Sequence, residues 1–431
     1  MTRNLDQETY GFFGVLMSLM VILVVPATAG YQISIVRLAG QASSNKNIDR
    51  FSDDLWAAFL TTLAAGIFVS CLFYWSSGYF LPSLDGEMVN AQVVWLAVLL
   101  LLLMSLNVLF SEALRGLGWI GWAASLTGLG QHGGAVRVTI MLLASLLVVS
   151  VDHFTLVSLL QIAVFGSFVV TSVAVLALAN KMSLTIRVEG IISSLKKNVG
   201  TNMQLMSGQL LQLLSGQYAA IVIGGIFFGG TSLALLFAAQ QLRVLLSAPI
   251  TLINGAIPAL LIDAHIRGNH AELTHLLRLS GSMATAVSLA ALLMVAIGGS
   301  SLFSAIFGPS YGDAFLFFLA FAPGLLFNAF CGSAAKALTL LGHERIFLIV
   351  TALTSIIAVP AFYLTAQVMG PIGLAVALSI ILVFQNLAFL ILLHEKIGVW
   401  SHAYLHPAQY LESFRDLGRW AQELRKMRSD K

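Results

Sequence analysis

The sequence predicts an all-α polytopic membrane protein with about eleven transmembrane helices, and two observations carry this prediction. Only 10% of the 431 residues are charged and 58% are hydrophobic, whereas roughly a quarter of the residues in a soluble globular chain are charged. The apolar residues also form long continuous runs, such as 93–110. A bilayer core about 30 Å thick requires about 20 apolar residues per helix. Because backbone groups in lipid must bond within the chain, runs of this length indicate helices.

Eleven segments are apolar and long enough to be predicted as spans. They lie at 10–34, 55–82, 90–112, 119–150, 154–180, 199–226, 231–261, 279–306, 313–341, 346–368 and 372–394. The first follows a short start, 1–8, and shows no small-residue cleavage site, so we expect no cleavable signal peptide.

The basic residues predict the orientation of these spans, because Lys and Arg stay on the cytoplasmic side during insertion. With the first connection assigned to that side, the cytoplasmic segments contain 18 of the 22 basic residues. The opposite face keeps only Arg3, and Arg137, Arg243 and Lys336 lie within spans. We therefore expect a cytoplasmic C-terminus and, with eleven spans, an N-terminus outside.

The connections divide the chain into two predicted lobes. The longest connection outside the tail is the basic stretch 180–198. We predict an N-terminal lobe of five spans at 1–180, a cytoplasmic linker at 181–198, a C-terminal lobe of six spans at 199–395 and a cytoplasmic tail at 396–431. Apolar residues recur at helical spacing over 407–427, which indicates an amphipathic helix on the cytoplasmic membrane surface.

Motifs for catalysis, nucleotides and metals are weak or missing. GLGWIG at 116–121 matches a dinucleotide-binding pattern by letter only, because no strand precedes it. No Walker GK[ST] sequence is present. His265, His270 and His275 recur at intervals of five, which is wrong for metal ligands on one helix face. We expect no catalytic residue, no metal, no cofactor, no enzyme activity and no nucleic-acid partner.

Polar residues inside the spans are the stronger signal, because burying them in lipid is costly unless they face protein or water. In the seventh span they recur at intervals of three and four, as Gln240, Arg243, Ser247, Thr251 and Asn254. The sixth span carries a second stripe, formed by Thr201, Asn202, Gly208, Gln209, Gln212, Ser215 and Gly216. The two stripes predict a water-filled cavity between the lobes. For the glutamines, hydrogen-bonded packing between helices remains an open alternative.

Arg243 and Arg137 are the candidates for binding an anion in this cavity. No acidic residue in the spans is placed to neutralise Arg243, since Glu112 at a span end is expected to pair with its neighbour Arg115. Arg137 follows several glycines in the long segment 119–150. It faces the interior if the helix continues and lies near the cytoplasmic interface if the helix breaks. A guanidinium binds phosphate oxygens bidentately and stays charged, so an arginine in a cavity implies an anionic ligand.

Six segments, taken in order, resemble the multidrug/oligosaccharidyl-lipid/polysaccharide (MOP) exporter superfamily, and within it the bacterial polysaccharide-unit flippases. They are YGFFGVLMSLM with AGYQISIVRLAG (10–40), EALRGLGWIGWAA (112–124), GQYAAIVIGGIFFGGTSLALLFAAQQLR (216–243), FGPSYGDAFLFFLAFAP (307–323), AKALTLLGHERIF (335–347) and MGPIGLAVALSI (369–380). The family's first helix would precede Tyr10. No apolar run precedes Tyr10 in this sequence, so we expect five helices in the first lobe. Either the start codon is assigned too late, or the chain is an eleven-helix variant.

The resemblance implies two lobes around a central cationic cavity, and alternating access that moves an undecaprenyl-pyrophosphate-linked sugar unit to the outer leaflet of the bacterial inner membrane. The expected substrate-binding residues are Arg243, Arg137, Gln240, Asn254, Gln209, Gln212 and Asn202. The expected partners are the lipid-linked oligosaccharide, membrane lipids and other proteins of polysaccharide assembly.

Two alternatives remain open. A multidrug cation antiporter of the same fold usually needs a carboxylate within the membrane, and no acidic residue lies deep in a predicted span. A non-transporting membrane scaffold is the other. A membrane enzyme of polysaccharide synthesis is disfavoured, because the outer loops are very short, as at 227–230 and 369–373.

Overall fold

All the secondary structure described by the computed structural model is helical. The structure describes residues 6–44, 48–80, 90–127, 155–180, 186–256 and 264–404, with isolated positions at 139, 182 and 261. The helices in chain order are α1 (Gln7–Ala27), α2 (Tyr31–Ser44), α3 (Ile48–Phe80), α4 (Ala91–Gly116), α5 (Ile120–Thr127), α6 (Leu156–Ala179), α7 (Val188–Leu214), α8 (Gln217–Phe227), α9 (Gly230–Ala256), α10 (His270–Phe307), α11 (Ala314–Cys331), α12 (Ala334–Leu340) and α13 (Glu344–Ile397).

The described helices agree with the predicted fold class. Eight of them are long and apolar enough to span a membrane, and the pair α7 and α8, bent by 54°, would add a ninth span. Helix α13 has non-helical backbone at Gly370 (φ 68°, ψ −158°), which divides it into two segments long enough to span. Of the predicted fourth span, 119–150, the described residues include little beyond α5. The chain is an all-α polytopic membrane protein, and the ten candidate spans of its described residues, with α13 counted as two, are consistent with about eleven transmembrane helices.

The chain divides into two compact units. Unit 1 comprises Met1–Phe237 with Ala366–Pro371, and unit 2 comprises Ala238–Thr365 with Ile372–Lys431. The lobe boundaries predicted from sequence stay a prediction. The predicted linker, 181–198, is helical from Val188 onwards, because buried residues at helical spacing in this stretch give α7 a packed face before the apolar run begins.

The first predicted span, 10–34, is broken rather than continuous. Helix α1 ends at Ala27, and both Ala29 (φ 47°) and Gly30 (φ 80°) adopt left-handed backbone before α2 begins. Thr28 bonds carbonyls left open at the end of α1, through its N–H to Val24 and its hydroxyl to Val25. The turn therefore redirects the chain without leaving those carbonyls unsatisfied.

Close approaches in unit 1 show that two helix pairs run parallel. A Cβ at Gly11 of α1 would lie 2.1 Å from the Gly230 carbonyl oxygen of α9, and one at Gly14 would lie 2.5 Å from the Phe237 ring. On α3 and α7, Asp53 lies against Gly190, and further along both helices Thr61 and Asn202 face the same Tyr31 hydroxyl. Parallel α1 and α9, and parallel α3 and α7, are consistent with the alternating orientation inferred from charge.

In unit 2 the residues after α13 form a strap, 398–404, across the end of α11 and the first third of α10. The Ser401 hydroxyl donates to the Cys331 carbonyl at 2.7 Å, and the Ala403 N–H donates to the Phe330 carbonyl at 2.8 Å. Gly332 leaves room for this crossing, since a Cβ there would lie 2.7 Å from the Ser401 carbonyl oxygen. The predicted amphipathic tail helix, 407–427, lies outside the described residues.

The strap also corrects the placement of Arg278, which the predicted spans leave on a cytoplasmic loop. Helix α10 begins at His270, so Arg278 lies within the helix. Its guanidinium carbon lies 4.4 Å from the centre of the Tyr404 ring, and the Tyr404 hydroxyl lies 3.0 Å from His275 Nδ1. Arg278 therefore has a packing role that the sequence pattern did not reveal.

Candidate functional site

The polar stripe on α9 flanks the face by which this helix packs in unit 2. The buried apolar residues of α9 recur at helical spacing, as Ala239, Leu242, Leu246, Ile250 and Ile253. The buried Ser288 hydroxyl of α10 donates to the Leu246 carbonyl at 2.6 Å and ties the two helices together. At about 100° per residue, Gln240, Arg243, Ser247 and Thr251 fall on the neighbouring face.

Gln240 and Arg243 are the two longest polar side chains of this stripe. The Gln240 side chain is 6% exposed, and its Oε1 atom makes no hydrogen bond within the described structure. Arg243, one turn later, is half-buried. By contrast, the Thr251 hydroxyl is satisfied by its own helix, donating to the Ser247 carbonyl at 2.9 Å. Asn254 belongs to α9, but its side chain lies outside the described residues.

The α7 stripe in unit 1 does not behave as one surface. Gln212 is exposed, and Gln209 is half-buried and accepts a hydrogen bond from the Gln32 amide of α2. This contact between α2 and α7 is the interhelical packing that remained open from sequence. Asn202 is 2% exposed, and the Tyr31 hydroxyl faces it, although neither polar atom of the Asn202 amide meets hydrogen-bond geometry.

The other expected residues divide between described and undescribed parts of the chain. Arg137 lies outside the described residues. Glu112 pairs with Arg115 at 2.8 Å, as predicted, and is almost fully buried. Gln240 and Arg243 belong to unit 2, whereas Asn202, Gln209 and Gln212 belong to unit 1. Their convergence on one cavity stays a prediction.

Several polar residues that lie inside helices of unit 1 were not identified from the sequence. Asp53 and Asp54 were placed just before the span predicted at 55–82, but α3 begins at Ile48 and carries both inside the helix. Gln32 was hidden in an apolar run, and the available signal was the AGYQ sequence at the start of α2. Among the described residues, no group of three or more His, Cys, Asp and Glu side chains could hold a metal ion.

The different exposure of Gln209 and Gln212 predicts different consequences of substitution. We expect Gln209→Ala to lower the melting temperature of the purified protein, because it removes a hydrogen bond between α2 and α7 worth about 1 kcal/mol and leaves Gln32 buried without it. Gln212→Ala should leave the melting temperature unchanged and impair only activity. An equal loss of stability in both variants would contradict this division.

Comparisons with known proteins identify solved structures that share this fold. No family model matches the sequence, and no curated protein matches it. Solved structures do match. An inward-facing multidrug resistance MATE family transporter of the MOP superfamily aligns with a TM-score of 0.66 and 14% identity, over 91% of this chain and 95% of that one.

Two further solved structures have the same fold. Lipid II flippase MurJ, in an inward closed conformation, aligns with a TM-score of 0.60 and 13% identity over 94% of this chain and 88% of that one. A MOP superfamily transporter from Pyrococcus furiosus, described as having a binding pocket of reversed polarity, aligns with a TM-score of 0.62 and 14% identity over 91% and 88%. The chain therefore has the fold of MOP superfamily transporters, as the sequence predicted.

Proposed function

We propose that this chain is a flippase that moves a polyprenyl-pyrophosphate-linked oligosaccharide across the bacterial inner membrane by alternating access, for synthesis of O-antigen or exopolysaccharide. The observation that carries the proposal is the half-buried Arg243 one turn from the buried Gln240 on α9. The fold supports it, because a lipid II flippase is among the solved structures that share it.

The chemistry of the pair suits a lipid diphosphate. Arginine keeps its charge and offers a planar fork of donors to phosphate oxygens. The amide of Gln240 can donate to the same group, and its Oε1 can accept from a sugar hydroxyl. The diphosphate would be held by α9, the sugars would occupy an aqueous cavity and the prenyl chain would stay in lipid. A charge-assisted contact of this kind contributes about 1.5–3 kcal/mol.

A multidrug cation antiporter is the second candidate function, and the MATE family structures favour it. Binding an organic cation calls for a carboxylate that faces the transport path. Among the described residues, Glu112 is engaged by Arg115 and the buried Asp53 lies against Gly190 of α7, whereas the α9 stripe carries an arginine. The stripe therefore favours an anionic substrate.

Deletion of the gene separates these functions. If the chain is a flippase, we expect loss of surface polysaccharide and accumulation of lipid-linked oligosaccharide in the inner leaflet, and the wild-type chain should reverse both effects. Unchanged polysaccharide with increased sensitivity to cationic drugs would contradict the proposal and support the antiporter. Unchanged behaviour in both assays would also contradict it and favour a non-transporting scaffold.

The proposed orientation is tested by cysteine labelling in intact cells. We expect cysteines at Ser83 and Asp152 to react with a membrane-impermeant maleimide, because they fall in predicted outer loops. Cysteines at Ser44 and Ser193 should react only after permeabilisation, since basic residues surround both positions. Labelling of Ser44 in intact cells would reverse the orientation.

A further inference from the structure

Arg278 of α10 is a half-buried arginine that pairs with no described carboxylate. Its Nε atom is buried and makes no hydrogen bond within the described structure. Glu272, the acidic residue earlier on the same helix, pairs with Arg267 at 3.0 Å instead. A buried donor of a charged group is costly to leave without a partner. The guanidinium is therefore a candidate for binding an anion.

The strap, 398–404, holds this guanidinium in position. The guanidinium carbon lies 4.4 Å from the centre of the Tyr404 ring, and the Tyr404 N–H donates to Ser282 Oγ at 2.9 Å. The Ser282 hydroxyl donates in turn to the Arg278 carbonyl at 2.8 Å. The Tyr404 hydroxyl lies 3.0 Å from Nδ1 of the exposed His275, one turn before Arg278. A guanidinium, a phenol and an imidazole therefore lie side by side on unit 2.

Arg278 lies where the polar start of α10 gives way to its apolar part. No charged residue follows it along the chain until Asp313. The stretch 279–298, which ends just before the non-helical backbone at Gly299, covers about 30 Å of helix, the thickness of a bilayer core. Because the basic residues assign the start of α10 to the cytoplasmic side, we expect Arg278 at the level of the lipid headgroups of the cytoplasmic leaflet.

The face of α10 that carries Arg278 is apolar and exposed further along the helix. At about 100° per residue, Leu289 and Leu293 fall within about 60° of Arg278 around the helix axis, and both are exposed. Leu289 follows Arg278 by about 16 Å along the axis, close to the roughly 15 Å of one leaflet of the bilayer core. An acyl chain can therefore follow this face from a headgroup that lies at Arg278.

We propose that Arg278, with His275 and Tyr404 beside it, binds the headgroup phosphate of an anionic phospholipid of the cytoplasmic leaflet, phosphatidylglycerol. The guanidinium offers charge-assisted hydrogen bonds to phosphate oxygens, and the imidazole and the phenol add neutral donors. Basic pockets between helices on the cytoplasmic side suit anionic headgroups. No described carboxylate pairs with Arg278, so the site favours a lipid of net negative charge over a zwitterionic one.

This site goes beyond the proposed function, because the lipid stays bound to unit 2 and is not the transported molecule. Arg278 and the strap both belong to unit 2. The bound headgroup fastens the strap to the start of α10. The proposed substrate contact is Arg243 on α9, a different helix, so the two sites can be tested separately.

The first test compares two lipids on the purified full-length protein in detergent. Phosphatidylglycerol should raise the melting temperature of wild type saturably, and phosphatidylcholine with the same acyl chains should not. Arg278→Ala should raise the phosphatidylglycerol concentration needed for half of the effect by about tenfold or more. Arg345→Ala, which removes an exposed arginine at the start of α13 in the same unit, is the matched control and should respond as wild type does.

The second test keeps the arginine and removes the ring that positions it. Tyr404→Leu should weaken the response to phosphatidylglycerol, though less than Arg278→Ala does. Tyr363→Leu, which removes an exposed tyrosine of α13, should leave the response unchanged. Each variant is compared with itself in the absence of lipid, so a lower starting melting temperature does not affect the result.

Three results would each overturn the proposal. The first is the absence of a rise specific to phosphatidylglycerol in wild type, a result that depends on no variant. The second is an equal response by Arg278→Ala, and the third is an equal rise with inorganic phosphate, which would indicate a site for a free anion. Arg243→Ala should keep the full response, whereas its loss would place the lipid at the proposed substrate site and contradict a separate lipid site.

Discussion

Arg243→Ala is expected to abolish or strongly reduce surface polysaccharide while the protein still inserts at normal levels. Arg243 is half-buried on the face of α9 that flanks its packed residues, so its truncation leaves the apolar contacts with α10 in place. The lost charge-assisted contact of about 1.5–3 kcal/mol corresponds to roughly 10- to 150-fold weaker substrate binding. The measurement is surface polysaccharide at matched expression.

Arg243→Lys should rescue only part of the export, because a compact ammonium keeps the charge but loses the planar fork. Arg345→Ala is the control, since Arg345 is an exposed arginine in the first turn of α13 and also belongs to unit 2. Arg278 is unsuitable as a control because it packs on Tyr404. Normal export by Arg243→Ala would make this residue structural and remove the anion site.

Gly30→Ala is expected to destabilise the protein more than any other single-methyl addition proposed here. Gly30 adopts φ 80°, which costs a residue with a Cβ about 1–3 kcal/mol. The new methyl would also lie 2.1 Å from the Asn202 carbonyl oxygen, which belongs to helix backbone and cannot rotate away. Displacing α2 from α7 adds an overpacking cost of about 1–3 kcal/mol. The melting temperature in detergent measures the sum.

Gly118→Ala separates the two costs of the Gly30 substitution. Gly118 also has a left-handed backbone, φ 88°, but nothing lies within 4 Å of its Cβ position. It should therefore show only the conformational cost and a clearly smaller fall in melting temperature. If both variants unfold at the same temperature, the close approach of Gly30 to Asn202 does not constrain unit 1.

The class of fold was predictable because apolar runs of span length have few alternatives in lipid, but the helix breaks were not. The runs at 10–34 and 313–341 continue through turns that the structure places at Gly30 and Gly332. A run of apolar residues does not show where a turn interrupts it, because the turn depends on the left-handed backbone of a single glycine. Gly370, which follows a methionine and precedes a proline, was the exception that the sequence predicted as a short loop.

The sequence predicted the polar stripes of the candidate site, but it did not predict which contacts their side chains make. The spacing of Gln240 and Arg243 identified one face of α9, which the structure preserves. The same reasoning grouped Gln209 with Gln212, and only the packing of α2 on α7 separates them. Asp53 was missed because its charge ended the apolar run from which the span was drawn, although α3 continues through it.

Lipid flipping by the purified chain in proteoliposomes tests the proposed transport directly. A polyprenyl-pyrophosphate-linked oligosaccharide is incorporated in both leaflets, and its cleavage by an external, impermeant glycosidase is followed with and without imposed ion gradients. We expect vesicles with wild-type protein to expose nearly all of the oligosaccharide, whereas empty vesicles and those with Arg243→Ala should expose about half. Exposure of only half by wild-type vesicles under every gradient would contradict the proposed flippase function.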